Sequence, residues 1–280
     1  MARNERAQWA QLHVQGVTLL ADLAAGVSLA RTIEFAGPQL RCFGAAPASS
    51  RPLEIGDFTG RVDRGGGCNC SVLTLTPHAN GTHTEAVGHL TTERVDAHDL
   101  LPRRLLIAAV ISIEPELAGD SGESSSPVPH ADDLLITRHA LRSGWPPAVA
   151  SQLKARACVI RTQPNLQNKF AEEHAASAPF LSAEAAGWLV ECGIEHLVLD
   201  VPSADRYSDG GELTAHRILF GLPRGSSALA EAQRAHTTIT ELAYVPDATG
   251  DGWYFLSLQA PAIAGDAVPS RPVLYPLRAA

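Results

Sequence analysis

Aromatic residues make up only 5% of this 280-residue chain, methionine occurs once and cysteine five times. Five cysteines at irregular spacing (Cys42, Cys68, Cys70, Cys158, Cys192) do not make a disulfide framework in a chain long enough to bury its own core. A reducing compartment is therefore expected. Cys68 and Cys70 form a C-x-C with no second pair, which favours a structural role over a thiolate metal site. No run approaches the ~20 apolar residues of a membrane span. The apolar stretch "GVTLLADLAAGVSLA" is interrupted by Asp22 and follows His13 and Gln15, so it does not read as a secretory leader, and a cytoplasmic location is expected. Basic residues are not in excess: 22 Lys and Arg face 30 Asp and Glu, for a formal net charge of −8. That balance argues against nucleic acid or an anionic membrane as the main partner. No G-x-G-x-x-G or Walker pattern is present, and "RGGGCNC" has the wrong spacing for either, so no organic cofactor is indicated.

What remains is the composition of a globular protein, 45% hydrophobic and 19% charged,. "RRLLIAAVISIEP" (103–115) and "ARACVIRTQ" read as strands buried on both faces. "SVLTLT" (71–76) alternates like a strand. "LSAEAAGWLVECGIEHLVLDVPS" is the clearest helix–strand unit, with Ser182 as N-cap, Ala185, Trp188, Leu189 and Cys192 at helical spacing, and Gly193 as a left-handed stop. "ITRHALRSG" predicts a short helix ended by Gly144. "TTITELAYV", "WYFLSLQAPA" and "RPVLYPL" predict closing strands. Residues 119–133, "GDSGESSSPVPHADD", have the composition of an exposed loop, and 1–19 read as an N-terminal extension. With no repeat and no sharp boundary, residues 1–280 are expected to form a single α/β domain with a mixed, strand-rich sheet.

One stretch concentrates titratable groups: "PHANGTHTEAVGH", residues 77–89. On a strand, His83 and Glu85 are i and i+2, so both side chains share a face at a spacing that suits one metal. His78 lies five residues before His83, and a turn or bulge at Asn80-Gly81 would bring it to the same face. His89 shares a face with Glu85 if a helical turn starts there, and Gly88 would allow close approach to a substrate. His and carboxylate donors suit Zn²⁺ or Mn²⁺ better than Ca²⁺. The same residues also suit a salt-bridged surface group or a satisfied polar network.

The signature H-x-N-G-T-H-T-E-x-x-G-H resembles the metal-binding motif of the cyclase / kynurenine formamidase family, usually H-x-G-T-H-x-D-x-x-x-H. Three later stretches agree in order: "GIEHLVLDVPSADR", "AHRILF" and "TTITELAYVP", and the closing "SRPVLYPL" is similar to the family's tail. The resemblance implies metal ligands His78, His83, Glu85, His216 and Glu241, with His89 as general acid/base. It implies the swivelling β/β/α fold, one or two zinc or manganese ions, and a homodimer or homotetramer. Its members hydrolyse N-formylkynurenine, isatin or related small substrates, which would connect the chain to tryptophan catabolism. Three departures accompany the match. There is an extra residue between His78 and His83, Glu85 stands for the family's aspartate, and about a dozen more residues separate His216 from Glu241.

The expectation is a metal-dependent hydrolase of a small amide, formamide or lactam, arylformamidase-like, with metal-activated water and His89 as proton donor. A dehydratase or isomerase on the same centre, and a non-catalytic metal- or ligand-binding protein, are the rival readings. For His216 the alternative is a helix-surface residue, and for Glu241 an exposed strand residue. Asp205 either orients a ligand histidine or ends a strand. Arg161, Asn165 and Lys169 are candidates for a polar substrate pocket. The remaining histidines, His174 among them, read as structural or solvated.

Overall fold

Short apolar runs, most bounded by turn residues, build one mixed sheet of eleven strands. In chain order these are β1 (Trp9–Val14), β2 (Val17–Asp22), β3 (Val27–Ser28), β4 (His83–Ala86), β5 (Leu106–Ile113), β6 (Ala157–Thr162), β7 (His196–Leu199), β8 (Thr238–Glu241), β9 (Gly252–Gln259), β10 (Ala267–Pro269) and β11 (Arg271–Ala279). The computed structural model describes residues 8–167, 169 and 175–280. His174 and residues 1–7 lie outside the described residues.

The sheet runs β1-β2-β11-β9-β5-β6-β7-β8-β4-β10, with β3 also paired to β11. Its centre, β5-β6-β7-β8, is parallel, and the strands beyond it on either side pair antiparallel. The central runs carry apolar residues on both faces because both faces are covered. Ile107, Ala109 and Ile111 of β5 pack with Cys158, Ile160, Leu197 and Leu199 and with the helices α2 (Arg138–Gly144), α3 (Ala183–Glu191) and α4 (Thr214–Phe220). The alternate residues Leu106, Ala108 and Val110 face Leu29, Ala243, Val245, Leu256 and Leu274. The period of two along β5 thus feeds two separate clusters.

Local chemistry explains the helix ends. The Ser182 hydroxyl accepts from the Ala185 N–H at 2.9 Å, and Thr137 does the same for Ala140 at 3.0 Å,. Gly193 follows α3 at φ +76°, the left-handed stop expected of it,.

Three expectations are redrawn. From Trp9 onward, the segment read as an extension is sheet: β1 and β2 pair over six residues, and β2 joins β11. The strand within "SVLTLT" is Ser71–Thr74, and it pairs with Ser49–Pro52 in a separate two-stranded ribbon rather than in the main sheet. Residues 119–133 contain no buried side chain, yet they begin inside a helical turn (Ala118–Ser121) and are tied down. Glu123 accepts from the backbone N–H of Arg138 and from the Ser182 hydroxyl. No helix among the described residues is long and apolar enough to cross a membrane.

Candidate metal centre

β4 is the spine of the site. It lies between β8 and β10, with Glu241 opposite His83 and Ala267 opposite Glu85. His83 and Glu85 point to one face. Thr84, on the other face, is satisfied by Thr240 at 2.7 Å and Ser270 at 2.8 Å. His78 sits on α1 (Pro77–Asn80), a single helical turn rather than a strand, and Gly81 re-extends the chain into β4. That turn absorbs the extra residue and brings the His78 and His83 rings to 5.1 Å between centroids. His89 ends a tight turn, Val87–His89, directly after β4.

His216 arrives on α4, buried rather than on a helix surface. Asp205 places it. One Asp205 oxygen accepts from the Ala215 N–H at 2.7 Å, and the other from the His216 N–H at 3.1 Å and its Nδ1 at 2.6 Å. This carboxylate both caps the helix and orients the ring. Glu241 is buried too, and its Oε1 accepts from the Ala204 N–H at 2.7 Å. The cluster therefore contains all five residues that the family resemblance implies as ligands, with His89 beside them.

The ring nitrogens are sorted. An ionised carboxylate or a carbonyl can only accept, so the ring atom facing it carries the hydrogen. His83 Nδ1 donates to the Gly81 carbonyl at 3.0 Å, His216 Nδ1 to Asp205, and His78 Nε2 to Asp266 at 3.0 Å. Each ring then turns its other nitrogen inward. His216 Nε2 lies 2.6 Å from Glu85 Oε1, His78 Nδ1 lies 2.9 Å from Oε2, and His83 Nε2 lies 3.5 Å from Glu241 Oε2. Yet His83 Nε2 and both Glu85 oxygens are buried with no hydrogen-bond partner. The close approaches lack the direction of a good N–H···O bond, so these atoms converge on a common space that either shared protons or a cation would fill.

Donor atoms held ~2.1 Å from a cation sit about 3 Å apart, and the observed separations bracket that. Two groups of three donors, His78-His83-Glu85 and Glu85-His216-Glu241, share Glu85. The residues fit a divalent cation.

Electrostatics gives the same demand. Burial opposes a charged His78, but Asp266 and then Glu85 outweigh it and raise the imidazole to about 10. Burial likewise opposes charge on His216, and Glu85 and Asp205 outweigh it to hold the ring well above its ordinary value. Glu85 resists its own burial and is held well below the usual carboxylate range by His216 and His78. Asp266 is lowered by hydrogen bonds from His78 and His89. The cluster recruits positive charge, as protons or as a metal.

A cavity of about 230 Å³ opens onto this cluster. Phe43 and Tyr207 stand at it, stacked at 4.5 Å, with the Phe43 N–H donating to the Tyr207 hydroxyl. Arg206 also lines it but is engaged by Asp133 at 3.1 and 3.3 Å. A larger cleft of about 800 Å³ lies by Leu12, Lys154 and Arg156. It holds none of the clustered residues, so the smaller cavity is the one placed for chemistry.

Two sequence expectations are corrected here. Gly88 is required by the backbone, not by a substrate: a Cβ there would meet Val95 O at 2.6 Å and Val95 N at 2.9 Å. Arg161, Asn165 and Lys169 do not line the cavity. Arg161 is held by Ser112, Asp251 and the carbonyls of Pro246 and Thr249, and Lys169 by Asp200 and Thr162. Sequence reasoning missed Asp266, Phe43 and Tyr207. Asp266 reaches His78 Nε2 and His89 Nδ1, at 3.0 and 3.2 Å. Nothing in "AIAGDAVPS" distinguishes it from a turn aspartate.

Solved structures share the fold. A predicted metal-dependent hydrolase from Bacillus stearothermophilus superposes with TM-score 0.55 at 16% identity, covering 89% of this chain and 97% of that one. An isatin hydrolase bound to the product analogue thioisatinate gives 0.56 at 17%, with 90% and 92% covered. Isatin hydrolase A from Ralstonia solanacearum gives 0.55 at 16%, with 90% and 91% covered. Among curated proteins no sequence matches significantly. The family model described as putative cyclase matches residues 21–206, well over half of the chain and including His78, His83, Glu85, His89 and Asp205. The chain belongs to the putative cyclase family.

Proposed function

We propose that the protein is a metal-dependent hydrolase that opens a small amide or lactam, with His78, His83, Glu85, His216 and Glu241 as the metal's ligands. The observation that carries this reading is the Glu85 carboxylate. It is buried and free of hydrogen bonds, and the inward nitrogens of His78 and His216 flank it. Zn²⁺ or Mn²⁺ suits the nitrogen and carboxylate donors. Such an ion supplies a Lewis acid and lowers the pKa of water in contact with it. Glu85 and Glu241 provide the negative charge that holds the ion, and Asp205 fixes His216 toward it. His89 lines the cavity with Nδ1 occupied by Asp266, leaving Nε2 to take a proton from the attacking water and then pass it to the departing nitrogen,.

The cavity supports a flat, uncharged substrate. Phe43 and Tyr207 offer an aromatic surface, and Arg206, apart from the histidines the one cation among the described lining residues, is already paired with Asp133. A neutral lactam such as isatin fits this better than N-formylkynurenine, whose amino-acid head needs a partner for its carboxylate. The exposed apolar residues Ile55 and Phe58, paired in a short hairpin, and Leu73 on the ribbon with Ser49–Pro52 support a homodimer or homotetramer.

The test is elemental analysis of wild type and a His83→Ala, Glu85→Ala double variant. Turnover of isatin and N-formylkynurenine is followed on the same samples with zinc or manganese restored. One or two equivalents of metal in the wild type, lost in the variant, with isatin turnover tracking the metal, is the expected result. Equal metal in both refutes the site. Metal with a product that has gained no water would indicate elimination or isomerisation and refute the hydrolase.

A further inference from the structure

Asp266 belongs to neither carboxylate-bridged donor group, yet it touches both a candidate ligand and the candidate acid/base. Its Oδ2 accepts from His78 Nε2 at 3.0 Å and from His89 Nδ1 at 3.2 Å. The two rings lie 4.3 Å apart between centroids, tilted by 31°. The backbone that presents this carboxylate is fixed on both sides. The Ala86 N–H donates to the Asp266 carbonyl at 2.9 Å, the Ala97 N–H donates to Gly265 at 2.8 Å, and Ala267 is in register with Glu85. The turn that presents His89 is equally constrained, because Gly88 abuts the Val95 backbone.

We propose that Asp266 is a positioning residue that selects the tautomers of His78 and His89 together. Because an ionised carboxylate only accepts, both facing nitrogens carry hydrogen. With a metal in place of the proton that His78 shares with Glu85, His78 then turns Nδ1 to the ion, and His89 presents a bare Nε2 to the cavity. In isolation a neutral imidazole is free to exchange tautomers, and the wrong one at either ring would aim an N–H where a lone pair is needed. One oxygen atom thus keeps the metal ligand and the acid/base in matched states. The donor atoms of His78, His89 and Asp266 also lie close enough together to form a metal group of their own. The experiment separates that role from positioning. The inference rests on the proposed hydrolase for its catalytic readout only.

Asp266→Ala is compared with wild type and with Asp266→Asn, all loaded with zinc. Side-chain ¹⁵N spectra of the imidazoles are assigned by His78→Gln and His89→Gln. The Asp266 side chain is 45% exposed, so the variants should fold, and a thermal melt checks this. The wild type is expected to show His89 protonated on Nδ1, and Asp266→Ala to lose that preference. Zinc stoichiometry should be unchanged, affinity about 10–100-fold lower, and kcat should fall with KM little changed. Asp266→Asn, which keeps one accepting oxygen, should be intermediate. A His89 tautomer unchanged in Asp266→Ala overturns the proposal. So does loss of a zinc equivalent, which would make Asp266 a ligand, or a rise in KM at constant kcat. If the wild type binds no zinc, the functional reading fails by itself, and the His89 tautomer in the metal-free protein still decides the inference.

Discussion

Replacing Glu85 by aspartate, the residue usual in this family's motif, should damage the site rather than restore it. Glu85 is fully buried, and its oxygens lie 2.6 Å from His216 Nε2 and 2.9 Å from His78 Nδ1. Removing one methylene draws the carboxylate back by up to one C–C bond, about 1.5 Å. If it withdraws evenly, both separations open toward about 4 Å, past the roughly 3–3.4 Å of neighbouring donors ~2.1 Å from one ion. The shorter side chain can keep one flank, not both. The longer carboxylate and the extra residue before His83 are therefore paired features, since the turn at Pro77–Asn80 sets where His78 stands. Loss of the proposed Glu85 ligand should exceed the roughly 10–100-fold that loss of an outer hydrogen bond costs in affinity. The lost methylene itself costs only about 1 kcal/mol of folding stability. The assay is zinc or manganese titration against a chromophoric chelator, with a denaturant melt of the same samples. If Glu85→Asp binds metal as tightly as wild type, the pairing of these two departures is wrong.

Two further outcomes test the frame around the site. His196 is buried on β7, and burial, reinforced by His236, Arg104 and Arg156, lowers its pKa from 6.5 to about 4. The unfolded chain then binds more protons in that window, so this contribution is complete above pH 6.5 and is lost as pH falls toward 4. It amounts to at most about 3 kcal/mol, and urea midpoints across the window should fall more for wild type than for His196→Gln. Equal slopes would refute it. Gly88→Ala should cost about 1–3 kcal/mol by overpacking and lower kcat through the displaced His89, while metal content stays at the wild-type level. Unchanged stability and turnover would show that the contact with Val95 relaxes freely.

Local elements were legible because their signals are local. Ser182, the apolar spacing through Leu189 and Gly193 mark α3 within a dozen residues, and the unbroken apolar run marks β5. Strand partners were not legible. "SVLTLT" carries the same alternation as a sheet strand, and only the path of the chain sends Ser71–Thr74 to Ser49–Pro52. The N-terminal segment likewise shows its sheet role only through pairing of β2 with β11, at the far end of the chain. Within the site, His83 and Glu85 declare themselves by the period of a strand. His216 and Glu241 are single residues in ordinary contexts, visible only through family resemblance. Asp266 meets His78 across 188 positions of sequence, through the antiparallel pairing of β10 with β4, and no periodicity encodes that meeting.

The four carboxylates of the cluster show why composition alone could not sort them. Asp205 accepts from two backbone N–H groups and one ring, so both its oxygens are already engaged in holding His216. Asp266 spends Oδ2 on two imidazoles at the cavity edge. Glu241 gives Oε1 to the Ala204 N–H and keeps Oε2 facing His83. Glu85 alone is buried with neither oxygen hydrogen-bonded. Burying an uncompensated carboxylate costs several kcal/mol, so a fold that holds one among inward-facing imidazole nitrogens must neutralise it with protons on those rings or, as proposed, with a metal ion. The degree to which each carboxylate is already satisfied, rather than its presence in a motif, separates those that orient rings from those proposed to bind the ion.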